Sequence, residues 1–201
     1  MELIIASGNA GKAEEIAQLL HAFPALEVYP ADRVGGMPTV EETAPDFRGN
    51  ALLKARALAA RVEDKIILAD DSGLSVDALE GRPGVRSARY AGAAASDEDN
   101  MDRVLMDLKN VASCDRQASF ICVLCLVWPG REDPYFFEGR VHGTLTDLPR
   151  GDSGFGYDPI FIPRGYTETF GELGAEVKNA ISHRALALKQ LKSWMGDVFR
   201  G

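Results

Sequence analysis

Two long strand-like stretches, "QASFICVLCLVW" and "PYFFEGRVHGTL", meet at Pro129 and Gly130. Apolar and β-branched runs flanking a Pro-Gly turn read as a hairpin, which commits the later half of the chain to a sheet. The earlier half alternates differently. "ELIIAS" reads as a strand, and "GNAGKAEEIAQLLHAF" follows it with Ile16, Leu19, Leu20 and Phe23 at helical spacing. "TAPDFRGNALLKARALAARVED" carries Phe47, Ala51, Ala55, Leu58, Ala59 and Val62 along one stripe, with Pro45 tolerated near the first turn of the helix. "KIILAD" is a buried strand that ends in polar residues.

Beyond it, "SDEDNMDRVLMDLKNV" predicts a helix capped by Ser96, with acids in its first turn and Val104, Leu105, Leu108 and Val111 facing inward. The hairpin comes next, then a short strand, "PIFIP", and a last helix, "SHRALALKQLKSWMGDVF". The stripe of that helix is Leu188, Leu191, Trp194, Met195 and Val198. Helices both between and outside consecutive strands point to an α/β fold with a mixed sheet flanked by helices. At 201 residues with 46% hydrophobic content, the chain fits one large domain or two closely packed lobes sharing a core, over residues 1–201.

Charge and cysteine content remove several function classes. A net charge of −8 argues against non-specific nucleic-acid binding, which needs clustered cations. An acidic chain that binds a small phosphate compound must concentrate positive charge locally, through a few Lys or Arg, a helix N-terminus or a divalent cation. The three cysteines do not make a disulfide framework. Cys122 and Cys125 lie three apart on a strand, so they point to opposite faces and are read as core residues, not as one metal site. No apolar run reaches membrane-spanning length, and the start of the chain lacks a signal-peptide pattern, so a cytoplasmic protein without a membrane partner is expected.

Four constellations could carry chemistry. "SGNAGK" (Ser7, Gly8, Asn9, Ala10, Gly11, Lys12) joins a strand to a helix. Glycines that admit a ligand, unpaired helix N–H groups and a mobile cation suit phosphate, although a strand-to-helix turn of this kind is commonplace. It is not a Walker A loop. "EET" (Glu41, Glu42, Thr43) and "ADDSG" (Asp70, Asp71, Ser72) offer carboxylates of the kind Mg²⁺ prefers, against the alternative of turn and cap residues. Adjacent Asp70 and Asp71 repel unless something cationic compensates them. Asn50 and Lys54, four apart, share one helix face and could reach phosphate oxygens. His183 and Arg184 follow Ser182 in a helix's first turn, where a basic pair opposes the dipole; a ligand-facing task or a salt bridge would each explain it.

Taken together, "SGNAGK", "EET", "NALLKARA", "ADDSGL", "GRPGVRSARYAG", "GFGYDPIF" and "ISHRALAL" resemble the inosine triphosphate pyrophosphatase family, the HAM1-like non-standard purine nucleoside-triphosphate pyrophosphatases. The matching segments keep the family's order from residue 7 to about 188. The resemblance implies an elongated mixed sheet between two lobes with a central cleft. It also implies Mg²⁺-dependent hydrolysis of ITP, dITP and XTP to the monophosphate and pyrophosphate, a homodimer, and a role in cleansing the nucleotide pool.

Under that resemblance Ser7 to Lys12 and Lys54 hold the triphosphate, and Glu41 and Asp71 hold the metal. Asp71 also accepts the proton, with Asp70, Glu42 or a metal-bound hydroxide as alternatives. Ser72, Phe155, Gly156, Tyr157, Asp158, Lys178, His183 and Arg184 complete the substrate site. Phe155 stacks on the purine, and Arg184, with His183 or Lys178, meets its 6-oxo edge. A Maf-like pyrophosphatase for modified pyrimidine triphosphates and a non-catalytic nucleotide sensor are the rival readings.

Overall fold

The computed structural model describes residues 1–8, 10–20 and 26–198. Six strands make one mixed sheet in the order β2-β1-β3-β4-β5-β6. They are β1 (Glu2–Ala6), β2 (Glu27–Pro30), β3 (Ile66–Val76), β4 (Gln117–Val127), β5 (Tyr135–Leu145) and β6 (Phe161–Pro163). Among the described residues five α-helices accompany them: α1 (Ala10–Leu20), α2 (Phe47–Ala59), α3 (Asp97–Asp107), α4 (Ala175–Ile181) and α5 (His183–Val198). The chain divides into two compact units, Met1–Asp71 with Cys122–Gly139 and Arg184–Gly201, and Ser72–Ile121 with Arg140–His183.

In the first unit β1 lies between β2 and β3 and runs parallel to both, in a register that sets Ile4 against Tyr29 and Ile67. Parallel neighbours need crossovers, and α1 and α2 supply them. All four residues Leu3 to Ala6 are buried, as expected for a strand covered on two faces. Each face has its own core. One gathers Leu3, Ile5, Ile16, Leu20, Cys122, Leu124, Leu188, Leu191 and Met195. The other gathers Ile4, Ala6, Ala51, Ala55, Leu58, Ile67 and Cys125. Cys122 and Cys125 therefore sit in different cores, as the strand period requires, and no disulfide joins them.

The second unit has one core, built from Leu74, Val76, Val104, Leu108, Phe120, Tyr157, Ile160, Phe161 and Phe170. Here β6 pairs antiparallel with β5, setting Thr144 against Ile162. α3 begins at a capping box in which Ser96 and Asp99 satisfy each other's backbone N–H groups.

Several sequence expectations need correction. β3 does not stop at Asp70 but continues to Val76, so the two aspartates lie mid-strand. Burial on both sides sustains the strand past its polar residues. α2 starts after Pro45, with the Asp46 side chain capping it by accepting the Gly49 N–H at 2.7 Å, and Val62 lies beyond its end. α3 ends at Asp107, leaving Val111 outside the helix but packed against the core. In "PIFIP" the first two residues belong to a 3-10 turn, Asp158–Ile160. Val198 is exposed at the end of the α5 stripe. β2 and α4 were not anticipated; both are short, and neither shows a clear period. The expected core position Phe23 lies outside the described residues, as does the phosphate-loop position Asn9.

Candidate active site

The acids and lysines of the first unit come together on its sheet. Lys12, in the first turn of α1, places its ammonium 3.1 Å from Asp70 Oδ2. Lys54, mid-way along α2, donates to Asp71 Oδ1 at 2.8 Å and lies 3.4 Å from Glu42 Oε1. Asp70 is 1% exposed and Asp71 5%, so their adjacent charges are shielded from water and compensated by these two lysines. The cation that the sequence demanded for the Asp70-Asp71 pair is supplied by the residues expected to hold phosphate.

The electrostatics follow from burial. Desolvation alone would lower Lys54, but the charges of Asp70 and Asp71, the bond to Asp71 and the charge of Glu42 outweigh it and hold the ammonium above the ordinary lysine value. Asp71 is pushed up by burial; Lys54 and Lys12 pull it back only in part, and Glu42 adds to the rise. The second carboxylate oxygen of Asp71, Oδ2, is buried and meets no hydrogen-bond partner among the described residues. A buried acceptor in that state asks for a water or a cation. Among the described residues no three carboxylate, His or Cys side chains converge as a cage. Mg²⁺ commonly takes only one or two carboxylates, completing its shell with water and phosphate oxygens, and Asp71 with a glutamate of the 41–42 pair fits that pattern.

The loop bearing the glutamates is seated on the first turn of α2. Asn50 is fully buried, and its Oδ1 accepts the Ala44 N–H at 3.0 Å. Gly49 leaves the space that Ala44 fills, since a Cβ there would lie 2.4 Å from the Ala44 Cβ. Asn50, which the sequence left able to reach phosphate oxygens, gives its amide oxygen to the chain, while its buried Nδ2 has no hydrogen-bond partner among the described residues. Glu42, half-buried, is the glutamate that reaches Lys54, whereas Glu41 is exposed. The choice between these neighbours could not be made from the sequence, because it depends on the loop's path over α2.

Ser7 and Gly8, at the end of β1, border a cavity of about 420 Å³ with Ala13, Glu14, Asp32 and Met37. Ala10 opens α1, and Gly11 is exposed on its first turn. Ser72 follows Asp71 along β3 and is half-buried.

In the second unit the aromatic loop is organised by one oxygen atom. Asp158 Oδ2 accepts the Phe155 N–H at 2.8 Å and the Lys178 ammonium at 2.7 Å. Lys178, contributed by α4, also sits 4.6 Å from the centroid of the Phe155 ring, in cation–π geometry. Gly154 adopts φ +83°, and a Cβ there would lie 2.2 Å from Asp158 Oδ2, so glycine is required both for the turn and for the approach. Phe155 itself is only half-buried. Tyr157 turns inward, is 4% exposed, and donates to the Ser87 carbonyl at 2.7 Å; burial, with Tyr90 and Asp97 nearby, holds its hydroxyl well above the usual phenol range.

His183 is buried and stacks on Phe120, with centroids 4.8 Å apart and an interplanar angle of 9°. Arg184, the next residue of α5, belongs to the first unit and is 2% exposed. Among the sequence-selected residues, the structure thus groups Lys12, Lys54, Asp70, Asp71 and Glu42 in the first unit. It groups Phe155, Asp158 and Lys178 in the second. Of the residues that the sequence did not single out, Ser87 accepts the Tyr157 hydroxyl, Asp97 accepts the Gly156 N–H and Phe120 stacks on His183. Ser87 lies inside the "GRPGVRSARYAG" motif, the one signal that could have drawn attention to it.

The sequence matches the Ham1 family over residues 3–194. It is 50% identical to a dITP/XTP pyrophosphatase of Opitutus terrae over 200 residues, covering 96% of this chain and 98% of that relative. A dITP/XTP pyrophosphatase of Bacillus subtilis is 46% identical over 190 residues, with 94% of each chain covered. The solved structure of a HAM1 protein from Coxiella burnetii superimposes with a TM-score of 0.89 at 39% identity, covering 98% of this chain and 99% of that one.

Proposed function

Since the chain belongs to the Ham1 family, we propose that it is a nucleoside-triphosphate pyrophosphatase that hydrolyses the deaminated purine nucleotides dITP, XTP and ITP. The products are the nucleoside monophosphate and pyrophosphate, and the reaction clears such nucleotides from the cytoplasmic pool. Relatives at 50% and 46% identity bearing the name dITP/XTP pyrophosphatase support the substrate class. The observation that carries the chemistry is the buried Asp71, with one oxygen on Lys54 and the other without a hydrogen-bond partner among the described residues.

In the first unit, Lys12 and Lys54 take the triphosphate oxygens, together with backbone N–H groups of the 7–12 segment. Asp71, with Glu41 or Glu42, holds a Mg²⁺ ion. A cation held there would supply neutralisation of phosphate charge. Asp71 orients the attacking water toward the α-phosphorus and accepts its proton. The water oxygen bonds to the α-phosphorus as the bond to the β-phosphate bridging oxygen breaks.

In the second unit, the half-buried face of Phe155 takes the flat base, and the Asp158–Lys178 pair keeps its loop in place. The donors of Lys178 and His183 serve a 6-oxo acceptor. An adenine amino group would leave them unpaired, which is costly in a dry site. A homodimer is proposed on family resemblance and is checked by light scattering.

The deciding experiment incubates the protein with ITP, XTP, GTP, ATP and a pyrimidine triphosphate, with and without EDTA, and identifies the phosphate products. Pyrophosphate from ITP and XTP only, abolished by EDTA, is the expected result. Orthophosphate as the product, a preference for the pyrimidine, or binding without turnover would reject the reading.

A further inference from the structure

We propose that Asp97 is a positioning residue for the base-binding loop, acting through the Gly156 backbone N–H; the inference rests on the reading of that loop as the base site. Gly156 donates to Asp97 Oδ2 at 2.7 Å, across 59 residues of chain. A carboxylate acceptor makes this a charge-assisted bond, and its length is typical of the stronger members of that class. Gly156 adopts φ +64° and a Cβ there would meet nothing within 4 Å, so the glycine serves the turn and not a close contact. The left-handed Gly156 is thus kept in place by a bond from outside the loop.

Those bonds come from one platform. α3 is capped by Ser96, whose capping box consumes the Asp99 side chain and leaves the Asp97 side chain to face the loop. Asn100, 2% exposed, ties the same turn to the segment before it: Oδ1 accepts the Ala91 N–H at 2.8 Å and Nδ2 donates to the Ala88 carbonyl at 3.4 Å. That segment is the 3-10 turn Gly84–Arg89 of "GRPGVRSARYAG". Its Ser87 accepts the Leu74 N–H through Oγ at 2.9 Å and the Tyr157 hydroxyl through its carbonyl at 2.7 Å. Two consecutive loop residues, Gly156 and Tyr157, are therefore bolted to one rigid support, and Phe155 precedes them directly. Asp97 is the bolt made by a charge. The otherwise unassigned motif supplies the second.

A residue in a helix's first turn also interacts with the dipole, so the test must separate the two effects. Asp97→Asn and Glu98→Gln each neutralise one first-turn acid of α3, and only the first touches the loop. IMP binding is measured by calorimetry, ITP turnover by pyrophosphate release, and loop protection by hydrogen exchange of the peptide spanning 151–157. For Asp97→Asn the Kd for IMP and the KM for ITP should rise about 3- to 10-fold, kcat should change less than about twofold, and the loop should exchange faster. Glu98→Gln should match the wild type. Equal behaviour of the two variants, or unchanged loop exchange in Asp97→Asn, overturns the proposal. Wild-type protein that fails to bind IMP overturns the base-site reading, and the proposal with it.

Discussion

Lys178 and Asp158 form an ion pair at 2.7 Å in which the two side chains are only 10% and 3% exposed. The same aspartate oxygen receives the Phe155 N–H, so the pair and the loop backbone share one acceptor. A buried pair costs desolvation of both charges, and its retention here fits a positioning task better than a gain in stability.

Removing one partner should therefore be worse than replacing both. Lys178→Met leaves the Asp158 carboxylate buried without its cation, and a loss of about 3 to 5 kcal/mol in folding stability is expected from chemical denaturation. The double variant Lys178→Met/Asp158→Asn should recover a substantial part of that loss while still binding IMP poorly. A double variant no more stable than the single one would contradict this account.

Gly154→Ala should disturb the same acceptor by a different route. The substitution strains a left-handed residue and drives a methyl group into Asp158 Oδ2. A stability loss of about 1 to 3 kcal/mol and weaker IMP binding are expected, whereas Gly165→Ala, with the same sign of φ but open space around it, should cost only the backbone strain.

Asp71→Asn should lower turnover of ITP by about 100-fold or more at saturating Mg²⁺, because in the proposed mechanism it removes the proton acceptor and a metal ligand together. Near-normal turnover in steady-state assays would exclude Asp71 from the reaction.

The pH behaviour of Asp71 in metal-free protein tests the electrostatics directly. Its folded pKa is raised above the unfolded value, burial being the largest cause. A group raised in this way contributes stability that is fully present below its unfolded pKa and lost as pH rises through its folded pKa. Carbon-13 NMR titration without divalent ions should show Asp71 protonating at a higher pH than an ordinary aspartate. Mg²⁺ should then lower the midpoint, as a bound cation favours the carboxylate.

Thiol chemistry reports on the two cores. Cys125 is fully buried, and desolvation raises its thiol to about 12, above any partial relief from Arg56 and Arg48. At pH 8 a thiolate-selective reagent should label exposed Cys114 rapidly and leave Cys122 and Cys125 unmodified until denaturant is added. Fast labelling of all three would mean that the strand β4 is not held between two packed faces.

Much of the fold was legible where one period dominated. The stripe of α2 at Ala51, Ala55 and Leu58 and the cap at Ser96 appear as the sequence indicates, because burial and capping are local demands. α4 was not legible: with seven residues it has too few turns to display a stripe, yet it brings Lys178 to Asp158. The end of β3 was misplaced for a related reason. A pair of aspartates looks like the close of a strand until Lys12 and Lys54, from two helices, neutralise them within it.

Sequence alone determined which chemical groups this protein has to offer: glycines ahead of a lysine, paired acids after an apolar strand, and an aromatic set between glycines. Each is written in neighbouring residues, and spacing along the chain is enough to reveal it. Only the tertiary structure decided which group meets which. Lys54 finds Asp71, Glu42 rather than Glu41 reaches that lysine, and Asp97 holds Gly156 from the first turn of α3. Such pairings depend on crossovers and on loop paths across packed elements, where partners distant in the chain are brought within a bond length by burial that no local pattern encodes.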